Sequence, residues 1–247
     1  MKKFALALLA VSFTANVAQA QIVSSKNSRI TVERNKNKYE NYNRISLGLS
    51  ALKLKDSEKE EVLVYDGESI GLKGLDINYM HGFSMTSRFP LYLEVGGRLT
   101  INHCKKSENE YEDENNYYDM EAKTNVMALS IPVNATYKHT FSNGMYIAPF
   151  VGLHLRFNML GKLKLKEKAV FHGYVEFDDD DSYNLFKDGE VDEEDCKRVQ
   201  FGGQFGVNLG YKAWNLGFAY YLDTPFYKDS DFKLKSREVA LTVGYNF

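Results

Sequence analysis

Apolar and polar residues alternate strictly at the C-terminal end of the chain. Large apolar side chains occupy every second position from Val239 to Phe247, and small or polar residues lie between them. Side chains of a β-strand point alternately to its two faces, so this segment predicts a strand with one apolar and one polar face. Because the last residue is an aromatic one on the apolar face, we interpret the segment as a closing strand whose apolar face meets lipid.

The same period of two recurs in seven further segments. Each has large apolar side chains on one face, while small, polar or charged residues occupy the other. Together with the terminal segment, the predicted strands cover residues 45–51, 71–83, 91–102, 124–141, 146–157, 200–211, 214–222 and 237–247. The first and last of these strands have similar small, polar faces, and they would have to pair for the sheet to close into a barrel.

The connections between these segments alternate in length. Those after the second, fourth and sixth strands are short, and one of them contains Ser142-Asn143-Gly144, a sequence typical of tight hairpin turns. The others are longer, above all residues 104–122 and 161–198. Short turns at one end and long loops at the other are typical of an outer-membrane barrel. The sequence therefore predicts an all-β fold, an eight-stranded antiparallel up-and-down transmembrane β-barrel with short periplasmic turns and longer external loops.

The N-terminal segment has the three-part layout of a secretory signal. Lys2 and Lys3 precede an apolar run, and Ala18-Gln19-Ala20 offers small residues for cleavage. Neither this run nor any later segment reaches the roughly 18 consecutive apolar residues that a transmembrane helix needs. We predict a signal peptide over residues 1–20, a polar periplasmic tail over 21–42 and an outer-membrane β-barrel over 43–247.

The composition agrees with a barrel and argues against nucleic acid as a partner. A mean hydropathy of −0.41 with 26% charged residues argues against membrane helices, whereas half of each barrel strand faces the interior and the loops are polar. The 17 Tyr and 16 Phe residues would supply aromatic girdles at the membrane surfaces. With a net charge of −2 and no basic stripe visible along the chain, nucleic-acid binding has no electrostatic support.

Three of the segments resemble a known family. They are residues 129–138 (LSIPVNATYK), 146–152 (YIAPFVG) and 243–247 (VGYNF). They are similar to strands of the small outer-membrane β-barrel family common in Bacteroidota, which includes PorT-like proteins. The resemblance covers residues 45–247 and implies a barrel in the outer membrane, without a shared substrate or catalytic residues. The terminal Phe247 also resembles the signal by which the barrel assembly machinery recognises its substrates.

Several ionisable residues fall on the polar faces of the predicted strands. They are Asp76, Glu94, Arg98, Lys138, His154 and Arg156. The interior of an eight-stranded barrel is just wide enough for side chains to fill it, so opposite charges there have to pair. We predict a salt-bridged polar network that plugs the lumen. A conducting or proton-passing path is the alternative.

Two cysteines are predicted near the external rim, in an oxidising compartment. Cys104 follows the third strand and Cys196 precedes the sixth. Because these strands are not neighbours, a disulfide bond would require loops that lean over the barrel mouth. We predict that bond, with two thiols as the alternative. The acidic runs 178–181 and 192–195 lack the order of a calcium-binding loop, and we predict no metal and no cofactor.

The external loops are the remaining candidates for function. His103 and His172 lie on the loop side without a convincing base and nucleophile, so we do not expect an enzyme. The loops are acidic and rich in Tyr and Asn, and residues 161–174 are expected to extend the fifth strand as a finger above the membrane.

We therefore predict a structural and surface-interaction protein of the outer membrane. Its expected partners are outer-membrane lipid, the barrel assembly machinery, and an extracellular ligand or other envelope proteins. Three alternatives stay open. They are an assembly component of a protein secretion system, as the PorT-like resemblance implies, a narrow channel, and a soluble lipocalin-type barrel whose apolar faces point inward.

Overall fold

The computed structural model of the chain describes residues 39–56, 70–86, 88–113, 116–172, 174–187, 196–228 and 233–247. The predicted signal peptide and nearly all of the predicted tail lie outside the described residues. All ten elements within these ranges are strands: β1 Tyr42–Asp56, β2 Ile70–Ser84, β3 Leu91–Asp113, β4 Asn116–Tyr137, β5 His139–Thr140, β6 Met145–Phe171, β7 Tyr174–Asn184, β8 Val199–Tyr211, β9 Trp214–Lys228 and β10 Lys233–Asn246. In this part of the chain, no helix is long and apolar enough to cross a membrane.

Strand pairing is antiparallel throughout and returns to its starting point. β1 pairs with β2, β2 with β3, and β3 with β4. The order continues through β4 with β6, β6 with β8, β8 with β9, and β9 with β10. Finally β10 pairs with β1 from Arg44↔Asn246 to Asp56↔Leu234, which is the closing pair expected from the sequence. The pairings form a closed cycle of eight strands, which we call the ring.

The two faces of the ring differ sharply in polarity. On β10, Leu241 and Val243 expose 51% and 54% of their surface, whereas Glu238 exposes 0% and Thr242 exposes 8%. This alternation, in which apolar side chains face out and polar ones face in, recurs around the ring because successive strand residues point to opposite faces. The soluble alternative required apolar faces turned inward, and the structure places them on the outside.

Three short connections lie at one end of the ring, which we call the turn end. The β5–β6 hairpin turns through Asn143 and Gly144, where the Gly144 amide donates to the Phe141 carbonyl and Gly144 has a φ of 83°. A glycine suits this conformation because it has no Cβ. The two-residue turn between β8 and β9 contains Lys212, also at positive φ. The predicted hairpin at 142–144 is confirmed.

Two of the predicted loops are largely strands, which corrects the sequence-based boundaries. Residues 104–113 and 116–122 form the outer halves of β3 and β4, and β6 runs on to Phe171 before β7 returns along it. The predicted finger over 161–174 thus exists as part of a four-stranded sheet, ordered β3–β4–β6–β7. We call residues 104–113, 116–125, 161–171 and 174–184 the extension. It continues the ring at the end opposite the turns, the loop end.

These segments were predicted as loops because they contain many charged residues. In the structure, opposite charges face each other across neighbouring strands instead. The Lys166 Nζ lies 2.6 Å from Asp180 Oδ2 between β6 and β7. On the same face of the sheet, Glu121 of β4 pairs with Lys105 of β3 over 2.6 Å. Such cross-strand pairs support a sheet, so a high charge density does not by itself indicate a loop.

Candidate functional site

A network of charged side chains crosses the middle of the ring. Arg98 on β3 donates from Nε to Asp76 Oδ2 over 2.7 Å, and from Nη2 to Glu238 Oε1 over 2.7 Å. Arg156, which comes from β6, donates from Nη1 to Glu238 Oε2 over 2.6 Å. The guanidinium carbon of Arg98 also lies 3.7 Å from the centroid of the Tyr221 ring. Glu238 on β10 therefore joins two arginines from β3 and β6, the strands on either side of β4 and across the ring from β10.

The network continues toward the loop end through Asp223. The Nε2 of His154 lies 2.5 Å from Asp223 Oδ1, while the Ser236 hydroxyl donates to Oδ2 over 2.9 Å. Arg156 reaches the same carboxylate at 3.4 Å. The side chains of Arg156, His154 and Asp223 expose no more than 2% of their surface. Removing them from water is costly, and these charge-assisted hydrogen bonds offset that cost.

A second charged group fills the turn end of the interior. Glu94 accepts hydrogen bonds from the Tyr42 hydroxyl over 2.5 Å and from the Thr136 hydroxyl over 2.8 Å, and pairs with Arg44 over 3.0 Å. Lys138 lies between two aromatic rings, with its Nζ 4.3 Å from the Tyr42 centroid and 4.5 Å from that of Tyr146. A cation held over ring faces is stabilised by their quadrupoles. These groups occupy the interior at the turn end.

The interior becomes apolar at the loop end. A buried cluster there consists of Leu52, Leu54, Leu72, Val126, Phe186 and Phe226, with Cys104, Leu185 and Cys196 packed against it. We call this cluster the apolar plug. The rings of Phe186 and Phe226 meet edge to face with centroids 5.7 Å apart. A Cβ at residue 161 would approach the Phe186 ring to 2.4 Å, so Gly161 leaves the space that the plug occupies.

The six ionisable residues selected from the sequence all lie inside the ring. Five of them are buried and hydrogen-bonded, and Lys138 is partly buried between its two rings. Sequence reasoning missed three of their partners: Arg44, Asp223 and Glu238. Arg44 precedes the predicted first strand and Asp223 begins the predicted loop after the seventh, so neither was placed on a strand face. Glu238 lies on the polar face of the last strand, and that alternation was a signal that could have found it.

Both cysteines contact the apolar plug. Cys104 lies on β3 and Cys196 in the segment before β8, and each is partly buried as a thiol. Packing against one cluster brings residues from strands that are not neighbours to the same end of the interior. The disulfide bond between them stays a prediction.

Maleimide labelling tests that bond. The protein purified without reductant and then unfolded should take up no polyethylene-glycol maleimide, because both sulfurs are in the bond, and should take up two after reduction. Without reductant, Cys104→Ser should be labelled at Cys196 alone. Labelling of both cysteines in the unreduced wild type would show that they are thiols in the membrane.

Exposed ion pairs link neighbouring strands of the extension. Glu121 accepts hydrogen bonds from Lys105 and Lys123, and these bonds lower the pKa of its carboxyl to about 2. The hydrogen bond between Lys166 and Asp180 raises the pKa of the lysine and lowers that of the aspartate. Both pairs are therefore charged near neutral pH. Because they face solvent, they set strand register more than they add stability.

The two loop-side histidines selected from the sequence lie exposed, whereas His154 is buried inside the ring. His103 lies exposed with Nδ1 2.8 Å from Asn125 Oδ1, and His172 occupies the β6–β7 turn. His154 is buried beside Asp223, but the Ser236 hydroxyl contacts Asp223 rather than His154, and a nucleophilic serine needs its base directly. Among the described residues, no group of three or more His, Cys, Asp or Glu side chains is arranged to hold a metal ion.

A closed ring of antiparallel strands with an apolar exterior and a charged interior defines the class of outer-membrane β-barrel proteins. The chain belongs to the outer membrane protein beta-barrel domain family, whose profile matches residues 8–224. This membership supports an outer-membrane location. No curated protein sequence matches the chain.

The chain is similar to several solved structures of bacterial proteins. Ail, the attachment invasion locus protein of Yersinia pestis, solved with the heparin analogue sucrose octasulfate, is 14% identical, with 84% of this chain and 99% of that chain covered and a TM-score of 0.41. Neisserial surface protein A is 14% identical, with 84% and 97% covered and a TM-score of 0.36. The outer membrane protease OmpT of Escherichia coli is 11% identical, with 84% and 96% covered and a TM-score of 0.29.

Proposed function

We propose that the ring is an eight-stranded transmembrane barrel that is closed to solutes and presents the extension outside the cell as an interaction surface. The observation that carries this proposal is the filled interior. Charged groups occupy its turn end and middle, and the apolar plug occupies its loop end. A protein whose lumen is filled in this way acts through its surface rather than by transport.

The outer surface of the ring supports a membrane environment. Large apolar side chains that would be buried in a water-soluble protein are exposed on all eight ring strands. An apolar surface of this extent marks a membrane or protein contact, since soluble monomers rarely expose one. Aromatic residues crowd the turn end of this belt: Phe83, Phe89, Tyr137, Phe141, Tyr211, Trp214, Tyr245 and Phe247. Such a girdle is typical of the interface between hydrocarbon and lipid head groups.

The extension supports an interaction role. The extension continues β3, β4, β6 and β7 beyond Lys73↔His103, the last pair between β2 and β3. Near its tip, Tyr174 and Val175 expose 79% and 58% of their surface. Exposed aromatic side chains often anchor protein contacts. A surface protein or host protein is the proposed partner class.

Fractionation and bilayer recording test this proposal together. We expect the protein in the outer-membrane fraction, released only by detergent, with different electrophoretic mobility before and after boiling. Planar bilayers that contain the folded protein should stay electrically silent because side chains fill the lumen. Recovery in the soluble fraction would contradict the membrane assignment. Stepwise conductance would favour a narrow channel, and loss of cargo export on gene deletion would favour the secretion-system alternative.

A further inference from the structure

Cationic side chains collect on the outward face of the ring where the apolar belt ends and the extension begins. Six exposed members come from five strands: Lys53, Lys73, Lys105, Lys162, Lys164 and Arg237. We call this set the basic collar. No basic stripe is visible along the sequence because these residues are far apart in the chain, and strand pairing brings them to one level of the ring. A membrane-facing surface changes at this level from apolar to positively charged.

A groove interrupts the collar where β4 and β6 leave the ring. Its volume is about 480 Å³. The register between β4 and β6 shifts between Met127 and Ala128, and this β-bulge lies at the groove. The apolar part of the lining is continuous with the belt, while the polar part belongs to the extension. The lining includes Ile101, Met127 and Leu160 from the belt side, and Asn125, Lys162 and Asn184 from the extension side.

One lysine of β6, Lys162, lines the groove, and Lys164 lies two residues farther along the same face of that strand. Lys162 lies opposite Asn125 and Asn184 on the neighbouring strands, and Lys164 lies opposite Lys123 and Ser182. None of these four opposing residues is acidic. The carboxylates of Glu121 and Asp180 lie two residues farther along the strands, where Glu121 pairs with Lys105 and Asp180 pairs with Lys166. An anion placed beside Lys162 and Lys164 would be attracted, the more so near the low dielectric of a membrane.

We propose that this groove binds an anionic phosphate-bearing lipid of the surrounding leaflet. An acyl chain lies along Ile101, Met127 and Leu160, and the lipid phosphate pairs with Lys162 and Lys164. The proposal rests on the membrane assignment made above, which puts lipid against the belt. The apolar lining and the lysines lie next to each other along the membrane normal, as the acyl chain and the phosphate of a lipid do. A lipid therefore fits the groove better than a free anion. The other collar residues add to the attraction for anionic head groups.

Native mass spectrometry of the detergent-solubilised protein tests the site. The probes are lipid A, whose phosphate groups are charged, and phosphatidylcholine, which has no net charge. The wild type should prefer lipid A. The double variant Lys162→Gln/Lys164→Gln should bind lipid A on the order of 10-fold more weakly, because each basic residue near a membrane surface contributes substantially to anionic-lipid binding. Its affinity for phosphatidylcholine should be unchanged.

A matched double variant controls for loss of charge. Arg88→Gln/Lys212→Gln removes two exposed cations at the turn end and should leave lipid A binding unchanged. Equal loss in both double variants, or no loss in the first, would overturn the proposal. Displacement of lipid A by millimolar inorganic phosphate would show a free-anion site and would also overturn it. Because the boiled-sample mobility shift reports folding of each variant, failure of the lipid site is distinguishable from failure of the membrane assignment.

Discussion

Replacing Arg98 with leucine should lower the free energy of unfolding by about 3–5 kcal/mol, the cost typical of removing one partner from a buried ion pair. Arg98 is 2% exposed, and Asp76 and Glu238 are both 0% exposed. Without the guanidinium, Asp76 keeps a buried negative charge and Glu238 retains only Arg156 from its two arginine partners. The measurement is reversible urea unfolding of the protein in phosphatidylcholine vesicles, followed by intrinsic fluorescence.

Two companion variants separate the buried pair from charge removal in general. Lys105→Leu removes a cation from the same strand, but its partner Glu121 is solvent-accessible, so little change is expected. Combining Arg98→Leu with Asp76→Asn removes the stranded charge and should restore part of the lost stability, since replacing a buried pair with neutral groups is often tolerated. A loss for Arg98→Leu no larger than that for Lys105→Leu would contradict the role given to the network.

The ring was predictable because a period of two states directly which face a side chain occupies. Because side chains alternate along β10, Leu241 and Thr242 must point to opposite faces of the sheet, whichever strands pair with β10. The same period selected Arg98 and Arg156 as interior groups. It does not state which interior groups meet, because the contact of Arg98 with Glu238 depends on how strands from distant parts of the chain are aligned around the ring. That alignment is set by tertiary packing.

The apolar plug and the basic collar could not be predicted from the sequence, for related reasons. Phe186 lies in a connection with no strand periodicity, and its ring packs against Phe226 and in the space beside Gly161. Lys162 and Lys164 alternate with Leu163 and Leu165, a strand pattern that high charge density concealed. In each case the sequence gives the residue types, but it does not predict which residues of other strands they contact.

Replacing Leu241 with arginine should lower the free energy of unfolding in vesicles by about 2–4 kcal/mol, the cost of a cation on the lipid face near the bilayer midplane of a barrel. Leu241 lies in the middle of the outward face of β10, opposite Leu49 of β1 and Phe218 of β9, which are exposed by 66% and 45%. Urea unfolding in phosphatidylcholine vesicles measures the change. Leu241 is exposed and forms no ion pair, so the change in the free energy of unfolding depends on whether lipid or water surrounds the outer surface.

The size of this effect discriminates between lipid and water around the ring. An exposed leucine in water can be replaced by arginine at nearly no cost, since surface substitutions usually change stability by less than about 0.5 kcal/mol. A lipid-facing position also predicts depth dependence, because the cost falls toward the head groups. Val239→Arg, one outward position nearer to Arg237 and the basic collar, should therefore cost less than Leu241→Arg. Equal and negligible costs at both positions would mean that the apolar belt does not face hydrocarbon.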